Sequence, residues 1–348
     1  MSINVLVVDD SALIRRILSE IINQTPDLNL VGTAPDAYVA RDMVRALSPD
    51  VITLDVEMPK VDGLTFLDKL MKAKPTPVLM VSTLTEEGAE VTLKALELGA
   101  VDFIAKPKIG VVAGMEAYRE LIVSKIRAVA QAHVSARAYI PTQAKALVKF
   151  STTEKLIGIG ASTGGTEAIH AVLSMMPADS PAVVITQHMP AGFTHSFAER
   201  LNLNSAMAVS EARHGERLLP GHAYIAPGGI HMVVKRSGAN YQIELEDSER
   251  MSSHKPSVDK LFFSLADAAG ANTAAVILTG MGRDGAAGLR AIREAGGRTA
   301  AQDEKSSLIY GMPKEAWLNK GAELQLSLEN VPAWLATTVS QMGRSVRI

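Results

Sequence analysis

The 348-residue sequence contains no cysteine, which excludes disulfide scaffolds, cysteine-ligated zinc sites and thiol nucleophiles. Only 4% of the residues are aromatic, so there is little material for the stacking surfaces that bind single-stranded nucleic acid. The formal net charge of −2 provides no overall attraction for phosphate backbones. No apolar run approaches the ~18 residues of a membrane span, and the first residues carry no basic leader with a cleavage site. We therefore expect a cytoplasmic protein that neither binds nucleic acid nor inserts into a membrane.

The length indicates two domains, because one hydrophobic core rarely serves more than ~250–300 residues. Basic residues outnumber acidic ones by eight to three in the segment 108–155, whereas the sequence on either side is acidic or balanced. This segment contains an amphipathic helical pattern over 118–134, followed by small residues, a proline and no clear period. We therefore predict a first domain over residues 1–125, a linker over 126–153 that begins within the helix, and a second domain over 154–348.

Short apolar runs alternate with helical patterns along the first domain, as in VLVV followed by SALIRRILSEII. This alternation predicts a doubly wound α/β domain with a parallel sheet, in which ligands bind at the carboxyl ends of the strands. The second domain contains the similar runs LIGIGA, AVVITQ and AAVILTG. It also contains YIAP, HMVVK and YQIEL, which are short β-like pieces separated by glycine-rich turns. We predict a mostly parallel α/β domain with an antiparallel hairpin.

Charged side chains follow three of the predicted strands in the first domain. Asp9 and Asp10 follow VLVV, Asp55 follows VITL, and Lys106 follows FIA. The topology brings these residues to one edge of the sheet, where three carboxylates repel one another unless a hard cation such as Mg²⁺ neutralises them. A phosphoryl group could be transferred to a carboxylate there. The alternative is that the aspartates only cap the helices that follow.

A glycine-rich turn in the second domain places a serine after an apolar strand. In IGIGASTGG, Ser162 lies in a strand-to-helix turn whose backbone N–H groups can face an oxyanion, and the segment fits G-x-S-x-G. Such a turn could equally hold a nucleotide phosphate. A dinucleotide fingerprint fails, because Gly158 and Gly160 are not followed by the required third glycine.

Two further strand ends supply the partners that a hydroxyl nucleophile needs. His188 ends the strand AVVITQH, and Asp284 lies in TGMGRDG just after AAVIL. At one edge of a parallel sheet these residues could act as base and orienting carboxylate for Ser162, although their order in the chain differs from that typical of α/β-hydrolases. No catalytic role is expected for the remaining histidines, which fall in helical patterns, turns or edge pieces: His133, His170, His195, His214, His222, His231 and His254.

The first domain resembles a response-regulator receiver domain. The resemblance rests on DD at 9–10, LDVEMPKVDG at 54–63, MVS at 80–82 and GAVDFIAKP at 99–107. It implies that Asp55 is the phosphoacceptor and that Mg²⁺ is required for its phosphorylation. It further implies four Mg²⁺ ligands and three switch residues, namely Asp9, Asp10, Asp55 and the backbone carbonyl of Glu57 for the metal, and Ser82, Phe103 and Lys106 for the switch.

The second domain resembles the catalytic domain of the chemotaxis protein-glutamate methylesterase family, CheB-type, on GIGASTGG, QHMPAGFT, HKPSVD and LTGMGRDG. The resemblance implies Ser162 as nucleophile, His188 as base and Asp284 as orienting residue, with the Thr163 amide and Met281 near the oxyanion. It implies phosphorylation-activated hydrolysis of glutamyl methyl esters on chemoreceptors and deamidation of receptor glutamines, with no cofactor for ester hydrolysis. The phosphodonor would be the histidine kinase of the chemotaxis pathway.

Two other functions are compatible with parts of the sequence. A receiver that regulates transcription would need a basic DNA-binding output, but residues 156–348 hold seventeen basic and eighteen acidic residues. A serine hydrolase that acts on a small ester would share the nucleophile but not the receptor substrate. Demethylation of methylated receptors distinguishes this hydrolase from the receptor methylesterase.

Overall fold

A computed structural model describes residues 2–83, 85–107, 115–132 and 155–342. The chain divides into two compact units, Met1–Ala138 and Tyr139–Ile348. Most of the predicted linker, residues 133–153, lies outside the described residues, and so does His133. Among the helices that the structure describes, none combines the length and apolar character needed to cross a membrane.

The first unit is a doubly wound α/β domain, as predicted. Its five strands form one parallel sheet in the order β2-β1-β3-β4-β5. The strands are β1 (Ile3–Val8), β2 (Leu28–Ala34), β3 (Val51–Asp55), β4 (Val78–Ser82) and β5 (Asp102–Ala105). The helices are α1 (Ala12–Asn23), α2 (Ala37–Leu47), α3 (Gly63–Ala73), α4 (Glu86–Glu97) and α5 (Met115–Ala130).

Polar side chains fix where the helices of the first unit begin. Ser11, Asp36, Asp62 and Thr85 each accept a backbone N–H of the helix that follows, which satisfies a donor that has no partner within the helix. Helix α5 buries Ile126 and Val129, so the described part of this unit continues past the predicted boundary at residue 125.

The second unit contains a seven-stranded parallel sheet in the order β14-β13-β12-β6-β7-β9-β8. Its strands are β6 (Leu156–Ala161), β7 (Ala182–Gln187), β8 (Ala208–Glu211), β9 (His222–Ile225), β12 (Thr273–Ile277), β13 (Arg298–Gln302) and β14 (Leu324–Leu326). The helices are α6 (Gly165–Leu173), α7 (Phe193–Leu203), α8 (Val258–Ala268), α9 (Ala286–Glu294), α10 (Met312–Leu318) and α11 (Val331–Gln341).

The predicted hairpin is present as the antiparallel pair β10 (His231–Ser237) and β11 (Asn240–Glu246). The piece YIAP does not belong to it. Tyr224 and Ile225 lie in β9, which pairs in parallel with β7 and β8 in the main sheet. A four-residue run has too little periodicity to show whether it is an edge piece or a buried parallel strand, and burial of Tyr224 decides for the latter.

The glycines of LIGIGA allow helix α8 to pack closely on the centre of the sheet. A Cβ atom on Gly160 would lie 2.2 Å from Val258 Cγ1, and one on Gly158 would lie 2.7 Å from Leu265 Cδ1. Both helix residues are completely buried. The close packing matters for function because it brings the N-terminus of α8 to the carboxyl edge of the sheet.

Candidate functional site

The three aspartates of the first unit meet where the strand order reverses. Strand β1 lies between β2 and β3, so the ends of β1 and β3 flank the crevice in which doubly wound sheets bind ligands. Carboxylate oxygens of Asp9, Asp10 and Asp55 all lie within 4.8 Å of one another. The Lys106 ammonium lies 2.8 Å from Asp55 Oδ2 and 3.4 Å from Asp9 Oδ2. The structure thus brings together all four charged residues predicted for this edge.

Burial dominates the electrostatics of this edge. It raises the pKa of Asp55 from 3.8 to about 6, although the hydrogen bond to Lys106 opposes the shift. Burial also raises the pKa of Asp9. For Lys106, burial alone would lower the pKa, but Asp55 and Asp9 keep it above its ordinary value. One ammonium therefore compensates only part of the carboxylate charge.

The donor set suits a hard cation with oxygen ligands. Asp9 Oδ2 and Asp55 Oδ2 are buried, and both face the Lys106 ammonium, at 3.4 and 2.8 Å. Asp10 is exposed. Such an arrangement fits Mg²⁺, which is held by one or two carboxylates and retains several waters. Glu57 lies beside the site and donates its backbone N–H to Asp55 Oδ1 at 3.2 Å.

Ser82 and Phe103 lie in β4 and β5, the two strands beyond the one that carries Asp55. Ser82 is buried at the end of β4, with its hydroxyl 3.3 Å from the carbonyl oxygen of Gly88. Phe103 is buried in β5, and the Lys125 ammonium lies 5.9 Å from its ring centroid. Sequence reasoning missed Arg15, whose guanidinium donates to the backbone carbonyls of Asp9 and Asp10 at 2.8 and 2.9 Å. Its position in the first turn of a helix carried no signal of this role.

We predict that Asp55→Asn raises the melting temperature of the metal-free protein. Because the pKa of Asp55 rises from 3.8 to about 6 on folding, its contribution to stability is present below pH 3.8 and lost as the pH rises through 6. At pH 7 the ionised carboxylate therefore destabilises the fold, by ~1–3 kcal/mol. An amide removes that cost, and the expected increase is ~3–8 °C, measured by calorimetry in the presence of a chelator.

A control for this prediction is Asp42→Asn, which neutralises an exposed aspartate paired with Arg41 and should leave the melting temperature almost unchanged. Mg²⁺ should stabilise the wild-type protein more than Asp55→Asn. An unchanged or lower melting temperature for Asp55→Asn would show that burial of the charge is not the dominant effect.

In the second unit, the sheet itself aligns the three predicted catalytic residues. Strand β6 lies between β7 and β12, at the reversal of strand order. Beyond the strands, the Ser162 N–H donates to the Thr279 carbonyl at 3.0 Å, and the His188 N–H donates to the Ala161 carbonyl at 3.2 Å. These bonds continue the parallel ladders into the loops. They hold the segments that carry Ser162, His188 and Asp284 side by side.

His188 and Asp284 form a buried pair. Nε2 of His188 lies 2.7 Å from Asp284 Oδ2, and the two side chains are 7% and 1% exposed. Nδ1 of His188 is buried and has no hydrogen-bond partner within the described residues. The carboxylate requires a proton on Nε2, so Nδ1 carries the lone pair that can accept a proton. This assignment follows from the hydrogen-bond network.

The N-terminus of helix α8 holds the Asp284 carboxylate. The Ser257 hydroxyl donates to Oδ1 at 2.7 Å, the Val258 N–H to Oδ2 at 2.7 Å, and the Asp259 N–H to Oδ1 at 3.1 Å. Burial alone would raise the pKa of Asp284, but His188, Ser257 and the helix N–H groups hold it below its ordinary value. Asp284 therefore stays ionised and fixed in orientation.

The surroundings of Ser162 are equally constrained. Its carbonyl accepts from the Gly165 N–H at 2.7 Å and from Gln187 Nε2 at 2.9 Å. A Cβ atom on Gly280 would lie 2.7 Å from Ser162 Cβ, so the loop that leads to Asp284 approaches the serine as only glycine allows. Met281 follows Gly280 directly and is half-buried. Thr163, also predicted near the oxyanion, is buried, and its carbonyl accepts from Thr279 Oγ1 at 3.0 Å.

Two of the remaining histidines contact residues of the site. His231 is completely buried, with Nε2 2.9 Å from the Glu249 carbonyl and Nδ1 accepting the Ser257 N–H at 3.2 Å. His254 stacks on His188, with ring centroids 3.7 Å apart. His254 and Ser257 both lie in the motif HKPSVD, which the sequence analysis used only for the family resemblance. The residues around them in the sequence do not indicate that either belongs to the site. His195 is exposed.

Comparisons with known proteins identify the family of both units. Residues 157–335 match the family model described as CheB methylesterase, and residues 5–119 match the response regulator receiver domain. A protein-glutamate methylesterase/protein-glutamine glutaminase of Pseudomonas aeruginosa is 58% identical over 349 residues, covering 100% of both chains. The protein of that name from Methylobacillus flagellatus is 53% identical over 358 residues, covering 100% of both chains.

The second unit is also similar to a solved structure. The crystal structure of the Thermotoga maritima CheB methylesterase catalytic domain matches with a TM-score of 0.52 and 35% sequence identity, covering 53% of this chain and 99% of that one. An α/β domain with a serine, histidine and aspartate at its carboxyl edge thus accompanies a receiver domain. The chain belongs to the CheB methylesterase family.

Proposed function

We propose that this protein hydrolyses glutamyl methyl esters on chemoreceptors and deamidates receptor glutamines, at a rate that phosphorylation of Asp55 increases. The observation that carries the proposal is the buried pair of His188 and Asp284, 2.7 Å apart, on the segments aligned with Ser162. The family relationship supports the substrate class. We further propose that the protein acts in the cytoplasm, with no cofactor for ester hydrolysis.

The chemistry follows from the roles that we assign to the three residues. Ser162 Oγ attacks the ester carbonyl carbon, and His188 Nδ1 takes the hydroxyl proton while Asp284 stabilises the imidazolium. The bond to the methoxy group then breaks, and methanol leaves with that proton. Water attacks the acyl-serine, gives a proton to His188, and Ser162 departs with it. We assign the Thr163 N–H and the backbone around Met281 to the oxyanion.

A glutamine side chain can undergo the same reaction. Attack by Ser162 gives a tetrahedral oxyanion of the same shape, and ammonia leaves in place of methanol after it takes a proton from His188. The acyl-serine that results is identical in both reactions. One site therefore serves ester hydrolysis and deamidation.

The first unit supplies the regulation that we propose. The Asp55 carboxylate attacks the phosphorus of a phosphohistidine on the chemotaxis kinase, so that the P–N bond breaks and an acyl phosphate forms. Asp9, Asp10, Asp55 and the Glu57 carbonyl would hold Mg²⁺, which when bound would offset charge on the phosphoryl group. Lys106 pairs with the phosphate, and Ser82 and Phe103 respond to it as switch residues.

The test is methanol release from membranes that contain methylated chemoreceptor, with and without a small acyl phosphate and Mg²⁺. Phosphodonor should increase release by the full chain about tenfold, which corresponds to a shift of ~1.4 kcal/mol between inactive and active forms. Asp55→Asn should remain at the basal rate under both conditions. Hydrolysis of small esters without methanol release from receptor would instead identify a small-ester hydrolase.

A further inference from the structure

A second histidine ring lies flat against the catalytic base that we propose. The rings of His254 and His188 have centroids 3.7 Å apart and planes inclined by only 8°. The His188 side chain is only 7% exposed, and Asp284 holds one of its two ring nitrogens. The His254 ring therefore covers one face of the His188 ring.

The chain segment that carries His254 also reaches Asp284. Residues 251–257 form a turn in which Met251 and His254 exchange two backbone hydrogen bonds, at 3.2 and 2.9 Å. Ser257, at the end of the segment, donates its hydroxyl to Asp284 Oδ1 at 2.7 Å. His231 accepts the Ser257 N–H and so holds this end of the segment in place. One segment thus contacts both the base and its orienting carboxylate.

The backbone of this turn has an uncommon conformation. Ser252 and Ser253 have φ angles of +53° and +68°, in the left-handed region that non-glycine residues seldom adopt. Such residues persist where the surrounding structure determines them, and they concentrate at functional sites. The two residues immediately precede His254, so this conformation determines where its ring is presented.

The bond to Asp284 does not by itself fix the base. A single hydrogen bond at Nε2 leaves the His188 ring able to tilt about that contact, and the torsion of a histidine ring about its Cβ–Cγ bond is broad. A flat neighbour at van der Waals distance removes that tilt. The direction of the Nδ1 lone pair is then determined by two independent contacts. The mechanism that we propose requires this lone pair to point at the Ser162 hydroxyl.

We propose that His254 is a positioning residue, which through ring stacking holds His188 so that Nδ1 is aimed at Ser162. The inference rests on the proposed function of Ser162 and His188. It requires an aromatic face at position 254 and no proton transfer by His254. Phenylalanine should therefore replace histidine, whereas a side chain without a ring should not.

The experiment compares full-length, phosphorylated His254→Ala, His254→Gln and His254→Phe with the wild-type protein in methanol release over a range of receptor concentrations. We expect His254→Ala and His254→Gln to have about a tenfold lower kcat at an unchanged KM. We expect His254→Phe to have a kcat near that of the wild-type protein. His214→Ala is the matched control, because His214 is exposed and accepts one hydrogen bond, from the Leu245 N–H. It should have wild-type kcat and KM.

Labelling of Ser162 by a fluorophosphonate separates this proposal from the proposed function. Ser162 Oγ attacks phosphorus, the P–F bond breaks, fluoride leaves and the hydroxyl proton passes to His188, with no receptor present. Labelling should be slower in His254→Ala and His254→Gln than in the wild-type protein, but not in His254→Phe. The amount of label at the end point gives the number of folded sites in each variant. If the wild-type protein releases no methanol from the receptor, the proposed receptor substrate is refuted, whereas labelling still tests the positioning role of His254.

Three results would overturn the positioning role. An unchanged kcat and labelling rate in His254→Ala and His254→Gln would show that ring stacking by His254 does not position His188. A defect confined to KM would make His254 a receptor contact. If kcat falls in His254→Phe as much as in His254→Ala, the imidazole nitrogens of His254, and not its ring face, are required.

Discussion

Ser162→Ala is expected to lower methanol release from methylated receptor at least ~10⁴-fold while Asp55 is phosphorylated at the wild-type rate. The loss is large because Ser162 is the nucleophile that we propose, the chain has no cysteine that could replace it, and the Asp284 carboxylate already accepts from His188 and the N-terminus of α8. Phosphorylation persists because the two residues belong to different compact units with separate sheets.

Two measurements on one preparation test this expectation. Methanol release reports the esterase, and incorporation of phosphate from an acyl phosphate with Mg²⁺ reports Asp55. Ser174→Ala is a suitable control, because Ser174 lies at the end of helix α6 and its hydroxyl donates only to the Ala171 carbonyl among described contacts. Residual release above about one per cent of wild type would identify another nucleophile. Loss of both activities would mean that the substitution disturbs more than the serine.

The edge positions of the site residues could be predicted because each follows a run that is apolar and short. VLVV, VITL, LIGIGA and AVVITQ are almost entirely buried strands, so the first polar residue after each lies at the sheet edge. Crossover connections through helices make neighbouring strands parallel, which brings all these ends to the same side. Asp9, Asp55, Ser162 and His188 were placed by this argument.

The contacts around Asp284 could not be predicted, because they depend on packing between distant segments. Ser257 is the N-cap of α8 and its hydroxyl accepts the Lys260 N–H, yet the same hydroxyl also donates to the Asp284 carboxylate, 27 residues further along the chain. That contact exists because Gly158 and Gly160 let α8 approach the sheet. The sequence contains HKPSVD and the glycines of LIGIGA as separate segments, with no local signal that joins them.

The sequence also could not predict which ring nitrogen of His188 bonds to Asp284. Which nitrogen of His188 faces Asp284 depends on the path of the loop after β7 and on the ring of His254. A hairpin was assigned correctly from HMVVK and YQIEL because two alternating runs flank a glycine turn. The short piece YIAP is easily grouped with them, because its own pairing is with β7, where Ile185 is the partner of Ile225, and that partner lies far outside any local window.

Asp284→Asn is expected to lower methanol release at least ~10²-fold, and it tests the carboxylate more sharply than removal of the side chain does. Asp284 accepts four donors, two on each oxygen: His188 Nε2 and the Val258 N–H on Oδ2, and the Ser257 hydroxyl and Asp259 N–H on Oδ1. Asparagine offers one oxygen and one NH₂ group. Either orientation therefore places an NH₂ group against a backbone N–H of helix α8.

Both orientations impair the base. With the NH₂ group towards His188, it donates to Nε2 and moves the ring proton to Nδ1, where the lone pair is needed. With the oxygen towards His188, the tautomer is correct but the negative charge that stabilises the imidazolium is lost. The unsatisfied N–H group should also lower the free energy of unfolding by ~1–3 kcal/mol, so activity is measured well below the melting temperature of the variant.

Asp259→Asn is the matched control, because it changes a second buried aspartate on the same helix terminus. Its carboxylate accepts the Gly288 N–H at 2.7 Å and lies 3.4 Å from the Ser252 hydroxyl, while its backbone N–H to Asp284 is unaffected by the substitution. Burial raises the pKa of Asp259, with the negative charge of Asp284 adding to the shift, so an amide is tolerated there electrostatically. We expect kcat to fall in Asp284→Asn and to be largely retained in Asp259→Asn. Equal losses in the two variants would point to distortion of the α8 terminus, and wild-type kcat in Asp284→Asn would remove the carboxylate charge from the mechanism.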